Sequence, residues 1–264
     1  MQAKINDITL AFSDTGTGFP VVFLHAFPLN RTMWKVQEET LSSQFRVITI
    51  DLRGHGESDA PLWHYSLDQA ADDVHGLLDH LSVRQAIFVG LSMGGYILFA
   101  FYRKYAEYVR GLVLADTRAQ ADTDDGKRTR FEMAQIVYKQ GARAIADIML
   151  PKLLTPATIQ TKSELVQHVR TMIEGNQVSG IAGDLMAMAE RPDSIPLLKR
   201  MTCPAHIIVG ELDLSTPPSD AKLMADRIPN ASLAIIPGAA HLSNLEQPDL
   251  FNETVRSFVR NVTR

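Results

Sequence analysis

The stretch Ile87-Phe88-Val89-Gly90-Leu91-Ser92-Met93-Gly94-Gly95-Tyr96 decides how the rest of the chain is read. Ala86 to Val89 is an apolar run of buried-strand character that stops at glycines around a serine. Tyr96 to Val109 follows as an apolar run of helical character. Gly90, Ser92 and Gly94 therefore fit Gly-x-Ser-x-Gly between a strand and a helix, the setting in which a serine stands on a sharp, strained turn. Side chains in place of the flanking glycines would collide with the neighbouring strand and helix. A helix opening just after Ser92 also aims free backbone N–H groups at charge developing there. A glycine-rich turn with an incidental serine is the competing reading. The readable strand before it and helix after it favour a nucleophile.

Outward from this turn, strand and helix alternate, which predicts a parallel sheet covered on both sides. Ala3 to Phe12 alternates apolar and polar residues, as an edge hairpin does. Val21 to His25 and Arg46 to Ile50 are continuous apolar runs, as are Gly111 to Ala115, His206 to Gly210 and Ser232 to Ile236. Ser66-Leu67-Asp68-Gln69 resembles a capping box, with Val74, Leu77, Leu78 and Leu81 following at helical spacing. Helices are expected over Pro218 to Arg227 and from Pro248 to about Val262.

Residues 117–196 break the alternation. They hold no convincing strand; Arg130 to Lys139, Ala142 to Leu150, Ser163 to Glu174 and Ile181 to Glu190 have helical patterns. A helical insertion of this size at the carboxyl end of a strand is expected to cover a site there as a lid. Residues 1–116 and 197–264 then form the core domain and 117–196 a helical cap. Met133, Met149, Met172, Met186 and Met188 fall in the cap, where they either line a soft apolar pocket or pack helices together.

Composition excludes several classes. The 264 residues carry 26 Lys and Arg against 30 Asp and Glu, a net charge of −4 that predicts neither nucleic acid nor an anionic membrane as partner. The lone cysteine, Cys203, precludes an intrachain disulfide and is expected to fill core. Met1 to Asp7 lacks the apolar core of a signal peptide, and no segment approaches the ~18 apolar residues of a spanning helix. The sequence therefore implies a cytoplasmic protein. There is no His-Glu-x-x-His, paired cysteine or phosphate-binding glycine loop, so neither metal nor cofactor is expected.

Asp213 and His241 each follow a predicted strand, on the sheet edge where Ser92 stands and where ligands bind in such folds. A serine hydroxyl needs a base to take its proton, neutral imidazole serves near pH 7, and a carboxylate fixes the imidazole tautomer. Asp116 also ends a strand and is a competing acid; Asp51 is expected to organise the Arg53-Gly54-His55-Gly56 turn, and Glu211 to point out of the site. His55, His64, His75, His80, His168 and His206 are unremarkable by position, with His75 and His80 expected to be solvated on a charged helix. His241, in a small-residue loop after Gly238-Ala239-Ala240, is the base the pattern favours. His25 is expected to organise its turn. The backbone N–H groups of Phe27 and of Met93, just after the nucleophile, are expected to bind an oxyanion together.

Taken together, His25-Ala26-Phe27-Pro28, Asp51 to Ser58, Gly90 to Gly95, Gly210-Glu211-Leu212-Asp213 and Ala240-His241 resemble the motifs of the α/β-hydrolase superfamily over essentially the whole chain. Ala26 departs from the commoner His-Gly-x-Pro. The resemblance implies a mostly parallel eight-stranded sheet flanked by helices, with the lid inserted after the sixth strand. The Ser-Met-Gly-Gly elbow and Leu114 to Arg118 are similar to the carboxylesterases, the 3-oxoadipate enol-lactonases and the cofactor-free haloperoxidase-like perhydrolases. This implies hydrolysis of a small, short-chain ester by Ser92, His241 and Asp213 without a metal, the alternative being a lactone. Arg118, Arg128 or Arg130 would then contact a substrate carboxylate, unless they are simply solvated charge. A ligand receptor built on the same fold is the distant alternative.

Overall fold

The computed structural model describes residues 1–62 and 65–264, which leaves His64 outside the described residues. These form an eight-stranded sheet ordered β1-β2-β4-β3-β5-β6-β7-β8. The strands are β1 (Gln2–Ile5), β2 (Ile8–Thr15), β3 (Pro20–Leu24), β4 (Arg46–Ile50), β5 (Ala86–Leu91), β6 (Val109–Ala115), β7 (Ala205–Gly210) and β8 (Ala231–Ile236). β1 pairs antiparallel with β2, and β2 with β4; every other pairing is parallel. All of β5 is buried, which is why its sequence runs apolar without alternation. β1, at the edge, does alternate, burying Ala3 and Ile5.

The helices are α1 (Lys35–Leu41), α2 (Leu67–His80), α3 (Met93–Tyr105), α4 (Asp124–Gln140), α5 (Ala142–Leu153), α6 (Pro156–Thr161), α7 (Ser163–Glu174), α8 (Val178–Ala189), α9 (Ile195–Leu198), α10 (Pro218–Arg227), α11 (Ser243–Glu246) and α12 (Pro248–Thr263). Ser66 caps α2, its Oγ accepting from the Gln69 N–H at 3.1 Å. α3 packs on β5 and β6, and α12 on β6, β8 and α1. Between β6 and β7 lie α4 to α9 and no strand. Among the described residues, no helix is long and apolar enough to cross a membrane.

Boundaries depart from the sequence pattern where short-range signals compete. The apolar run after Ser92 ends as helix at Tyr105; a 3-10 turn intervenes and Val109 already belongs to β6. α4 starts at Asp124, six residues before the Arg130 start that the pattern gives, because Thr123 Oγ accepts from the Gly126 N–H at 3.1 Å and two aspartates occupy the first turn. His75 is not solvated as expected: it stacks on the Tyr105 ring at 4.0 Å and is half-buried. His80 is exposed. Cys203 is half-buried against the core.

Candidate active site

Ser92 sits between β5 and α3 at φ 53°, ψ −111°, a left-handed backbone that a residue with a side chain adopts only under constraint. The constraints are visible. Its N–H donates to the Ala115 carbonyl at 2.9 Å, and its own carbonyl accepts from Thr117 Oγ at 2.8 Å. A Cβ on Gly94 would lie 2.3 Å from the Leu24 carbonyl oxygen, and one on Gly90 would lie 2.6 Å from the Gly94 backbone. Both glycines are thus required by close backbone approach.

The loops after β7 and β8 bring Asp213 and His241 to this serine. Asp213 Oδ2 lies 2.8 Å from His241 Nδ1, and His241 Nε2 lies 2.9 Å from Ser92 Oγ. A carboxylate can only accept, so Nδ1 carries the proton and Nε2 accepts from the serine hydroxyl. Asp213 is held by three further donors: the N–H groups of Ser215 (2.8 Å) and Thr216 (3.0 Å) at Oδ1, and Thr216 Oγ (2.6 Å) at Oδ2. Burial pushes its carboxyl up, but the charge and hydrogen bond of His241 and the bonds from Thr216 outweigh this and leave it below the usual range. For His241, burial lowers basicity, while the Asp213 charge and hydrogen bond raise it further; the net direction is up.

Asp116, the competing acid, is turned elsewhere. Its Oδ1 accepts from the Gly210 N–H at 2.8 Å and its Oδ2 bonds Ser243 Oγ. Burial, with the Asp213 charge adding to it, pushes its carboxyl up to about 8. Glu211 is exposed and accepts from the Gly238 N–H at 3.1 Å, outside the site.

Phe27 lines the same cavity as Ser92, and Met93 opens α3, where first-turn N–H groups have no helical partner. Among the described residues, neither the Phe27 nor the Met93 N–H has a protein acceptor. His25 shapes this loop from behind: its Nδ1–H donates to the Ala26 carbonyl at 3.0 Å, and its Nε2 accepts from the Leu52 N–H at 3.0 Å. Burial pulls its pKa down to about 4, so it is neutral at pH 7. Asp51 accepts from the backbone N–H groups of Arg31 (2.7 Å) and Glu57 (2.9 Å), organising the turn that follows β4.

The site opens into a cavity of about 580 Å³. Ser92, His241 and Phe27 form its floor, and Met133, Met149, Leu154 and Met188 of the helical insertion give it an apolar wall. Met172 and Met186 do not line it. Arg118, Arg130 and Lys152 do; Arg128 does not, and instead pairs at the surface with Asp125 at 2.8 Å. Arg118 donates to the Ser215 carbonyl and pairs with Asp220 at 3.3 Å, while Arg130 is salt-bridged to Asp122. Among the described residues, no group of three or more His, Cys, Asp or Glu side chains is placed to share a metal ion.

Several residues that support the site escape sequence reasoning. Arg191 lies over the Tyr96 ring at 4.1 Å and pairs with Asp122 at 2.8 Å, a contact between segments about 70–100 residues apart. The turn holding Thr216 was legible in principle: an aspartate commonly accepts from the backbone just after it, as Asp213 does from the Ser215 and Thr216 N–H groups. Nothing local marks Ser243 or Glu246.

The chain matches the alpha/beta hydrolase fold family over residues 20–248 and belongs to that family. Among its relatives is 3-oxoadipate enol-lactonase 2 of Acinetobacter baylyi, 32% identical over 91% of this chain and 88% of that one. The structure of a thermophilic esterase from Thermogutta terrifontis, with malate bound, superposes with a TM-score of 0.97 at 42% identity, covering 99% of each chain. The enol-lactonase from Burkholderia xenovorans LB400 superposes at a TM-score of 0.93 with 29% identity, over 98% of this chain and all of that one (100%). The protein is thus an α/β hydrolase with esterase and enol-lactonase homologues.

Proposed function

We propose that the protein is a serine hydrolase that cleaves small carboxylic esters through an acyl-enzyme. The observation that carries this reading is the unbroken hydrogen-bond chain Asp213–His241–Ser92, ending on a serine that lines the cavity. Ser92 Oγ attacks the ester carbonyl as its proton passes to His241 Nε2, and Asp213 stabilises the imidazolium. The Phe27 and Met93 N–H groups receive the oxyanion, each donor contributing ~3 kcal/mol to the transition state. His241 then protonates the departing alcohol. Water enters, gives its proton to His241, and releases the acid. Residues 117–196 act as the cap that walls the acyl pocket with methionine side chains. The esterase similarity supports this choice of substrate class.

A lactone is the second reading, favoured by Arg118, Arg130 and Lys152 at the cavity and by the enol-lactonase relatives. In that case the ring acyl group is attacked in the same way, and the cations hold a substrate carboxylate.

The test is a panel of p-nitrophenyl esters from acetate to decanoate, with neutral and carboxylate-bearing lactones, on wild type and Ser92→Ala. Turnover peaking on short acyl chains and vanishing with Ser92 supports the esterase. A preference for acidic lactones, lost in Lys152→Met, moves the assignment to the second reading. Full turnover by Ser92→Ala sinks both.

A further inference from the structure

Glu246 closes α11, five residues beyond His241, and is buried although no step of the proposed chemistry uses it. Burying a carboxylate is costly unless hydrogen bonds satisfy it. Here three do. Oε2 accepts from the Ala240 N–H at 2.6 Å; Oε1 accepts from Thr155 N–H at 2.9 Å and Thr155 Oγ at 2.8 Å. Lys162 Nζ reaches the Glu246 backbone carbonyl at 3.0 Å.

The two ends of this clamp have meaning for the site. Ala240 immediately precedes His241, and Thr155 belongs to the corner between α5 and α6. On the other side of His241, the Leu242 N–H donates to the Leu153 carbonyl at 3.1 Å. Both residues flanking the imidazole are therefore anchored by their amides to residues 153–155, one through Glu246 and one directly. Ala240, Leu154 and Thr155 all line the cavity.

The geometry points to Glu246 as a positioning residue that fixes the backbone at His241 against the α5–α6 corner and so keeps Nε2 in line with Ser92 Oγ. This rests on the assignment of Ser92 and His241 as nucleophile and base. The residue type follows from the task. A carboxylate accepts at both oxygens, so one side chain can take donors from two separate segments; glutamine has one accepting oxygen and would turn an NH2 toward the other donor. Charge-assisted bonds of this kind are stronger than neutral ones. A 1 Å displacement of a catalytic group can cost ~100-fold in rate.

The experiment compares wild type, Glu246→Gln, Thr155→Val, their double mutant and Thr155→Ser. Two readouts are taken: kcat and KM on p-nitrophenyl acetate, and the rate of Ser92 labelling by a fluorophosphonate. Glu246→Gln is expected to lower kcat and the labelling rate by about 10- to 100-fold with KM little changed. Thr155→Val should do the same more weakly, and the double mutant should be no worse than Glu246→Gln alone. Thr155→Ser, which keeps both bonds, should recover most of the labelling rate that Thr155→Val loses. A Glu246→Gln protein that melts lower yet labels and turns over at the wild-type rate overturns the proposal, leaving a brace and nothing more. If Glu246→Gln fails to fold, Thr155→Val decides on the same two readouts. Wild type that leaves Ser92 unlabelled overturns the underlying assignment, and the proposal with it.

Discussion

Replacing Asp213 by asparagine tests tautomer control at the cost of one other bond, since Thr216 Oγ, which donates to Oδ2, must turn and accept from the amide NH2 instead. The amide oxygen can keep the bonds from the Ser215 and Thr216 N–H groups at Oδ1, so the loop should hold its shape. The amide NH2 then occupies the Oδ2 position, facing His241 Nδ1 at about the present 2.8 Å. Two donors cannot face each other, so the imidazole must present its Nδ1 lone pair and carry its proton on Nε2, toward Ser92. In that form it cannot accept the serine proton. The expected loss in kcat is of order 10⁴-fold, about 5 kcal/mol of transition-state stabilisation. Steady-state hydrolysis of p-nitrophenyl acetate, with circular dichroism to verify folding, reads this directly. A second readout is pH. Asp213 raises the basicity of His241, so activity in wild type falls as pH drops through that raised pKa, and the acid limb of the residual activity should move to lower pH in the variant. A folded Asp213→Asn protein within tenfold of wild type would refute the role given to this carboxylate.

Asp116→Asn should retain most of its activity. Its carboxyl is already held up to about 8, and an amide can serve both Gly210 N–H and Ser243 Oγ; a steady-state rate as low as that of Asp213→Asn would make Asp116 the acid instead. Gly94→Ala should destabilise the protein by about 1–3 kcal/mol and abolish turnover, since its Cβ would meet the Leu24 carbonyl at 2.3 Å. Gly95→Ala, whose nearest neighbour is the Thr117 side chain at 2.5 Å, should be milder in a thermal melt. Two buried histidines should each lose stabilising weight in acid. Burial holds His25 near a pKa of about 4 and His55 near about 3, both below the unfolded value of 6.5. The unfolded chain therefore takes up protons first, so their contribution is complete above pH 6.5 and is lost as pH falls from there toward 4 and 3. Asp116, held up to about 8, acts in the opposite sense, so the readout is made on Asp116→Asn: its urea midpoints should decline from pH 6.5 toward 4, and a flat profile would contradict this.

The sheet and the serine turn were legible because their causes are local. Val21 to Leu24 and Ala86 to Val89 are apolar without alternation because both faces are buried, and Gly90 and Gly94 report backbone contacts that admit no Cβ. Chain order then sufficed to bring Asp213 and His241 to Ser92, since parallel strands deliver their carboxyl-end loops to one edge. What stayed hidden is non-local. Arg191 on Tyr96, and Glu246 between Ala240 and Thr155, depend on how the helices after β6 dock, and no periodicity encodes that. His75 was misplaced for the same reason: its neighbour Tyr105 lies on another helix. Of the three arginines weighed as anion contacts, only docking distinguishes Arg118 and Arg130 at the cavity from Arg128 at the surface.

The most direct measurement is the mass of the enzyme caught in mid-turnover. Wild type mixed with excess p-nitrophenyl ester and quenched in acid within milliseconds should carry one acyl group, located by peptide mass spectrometry on Ser92 and absent from Ser92→Ala. Multiple turnover with the acyl group on another residue, or by a Ser92→Ala protein as fast as wild type, would contradict the account.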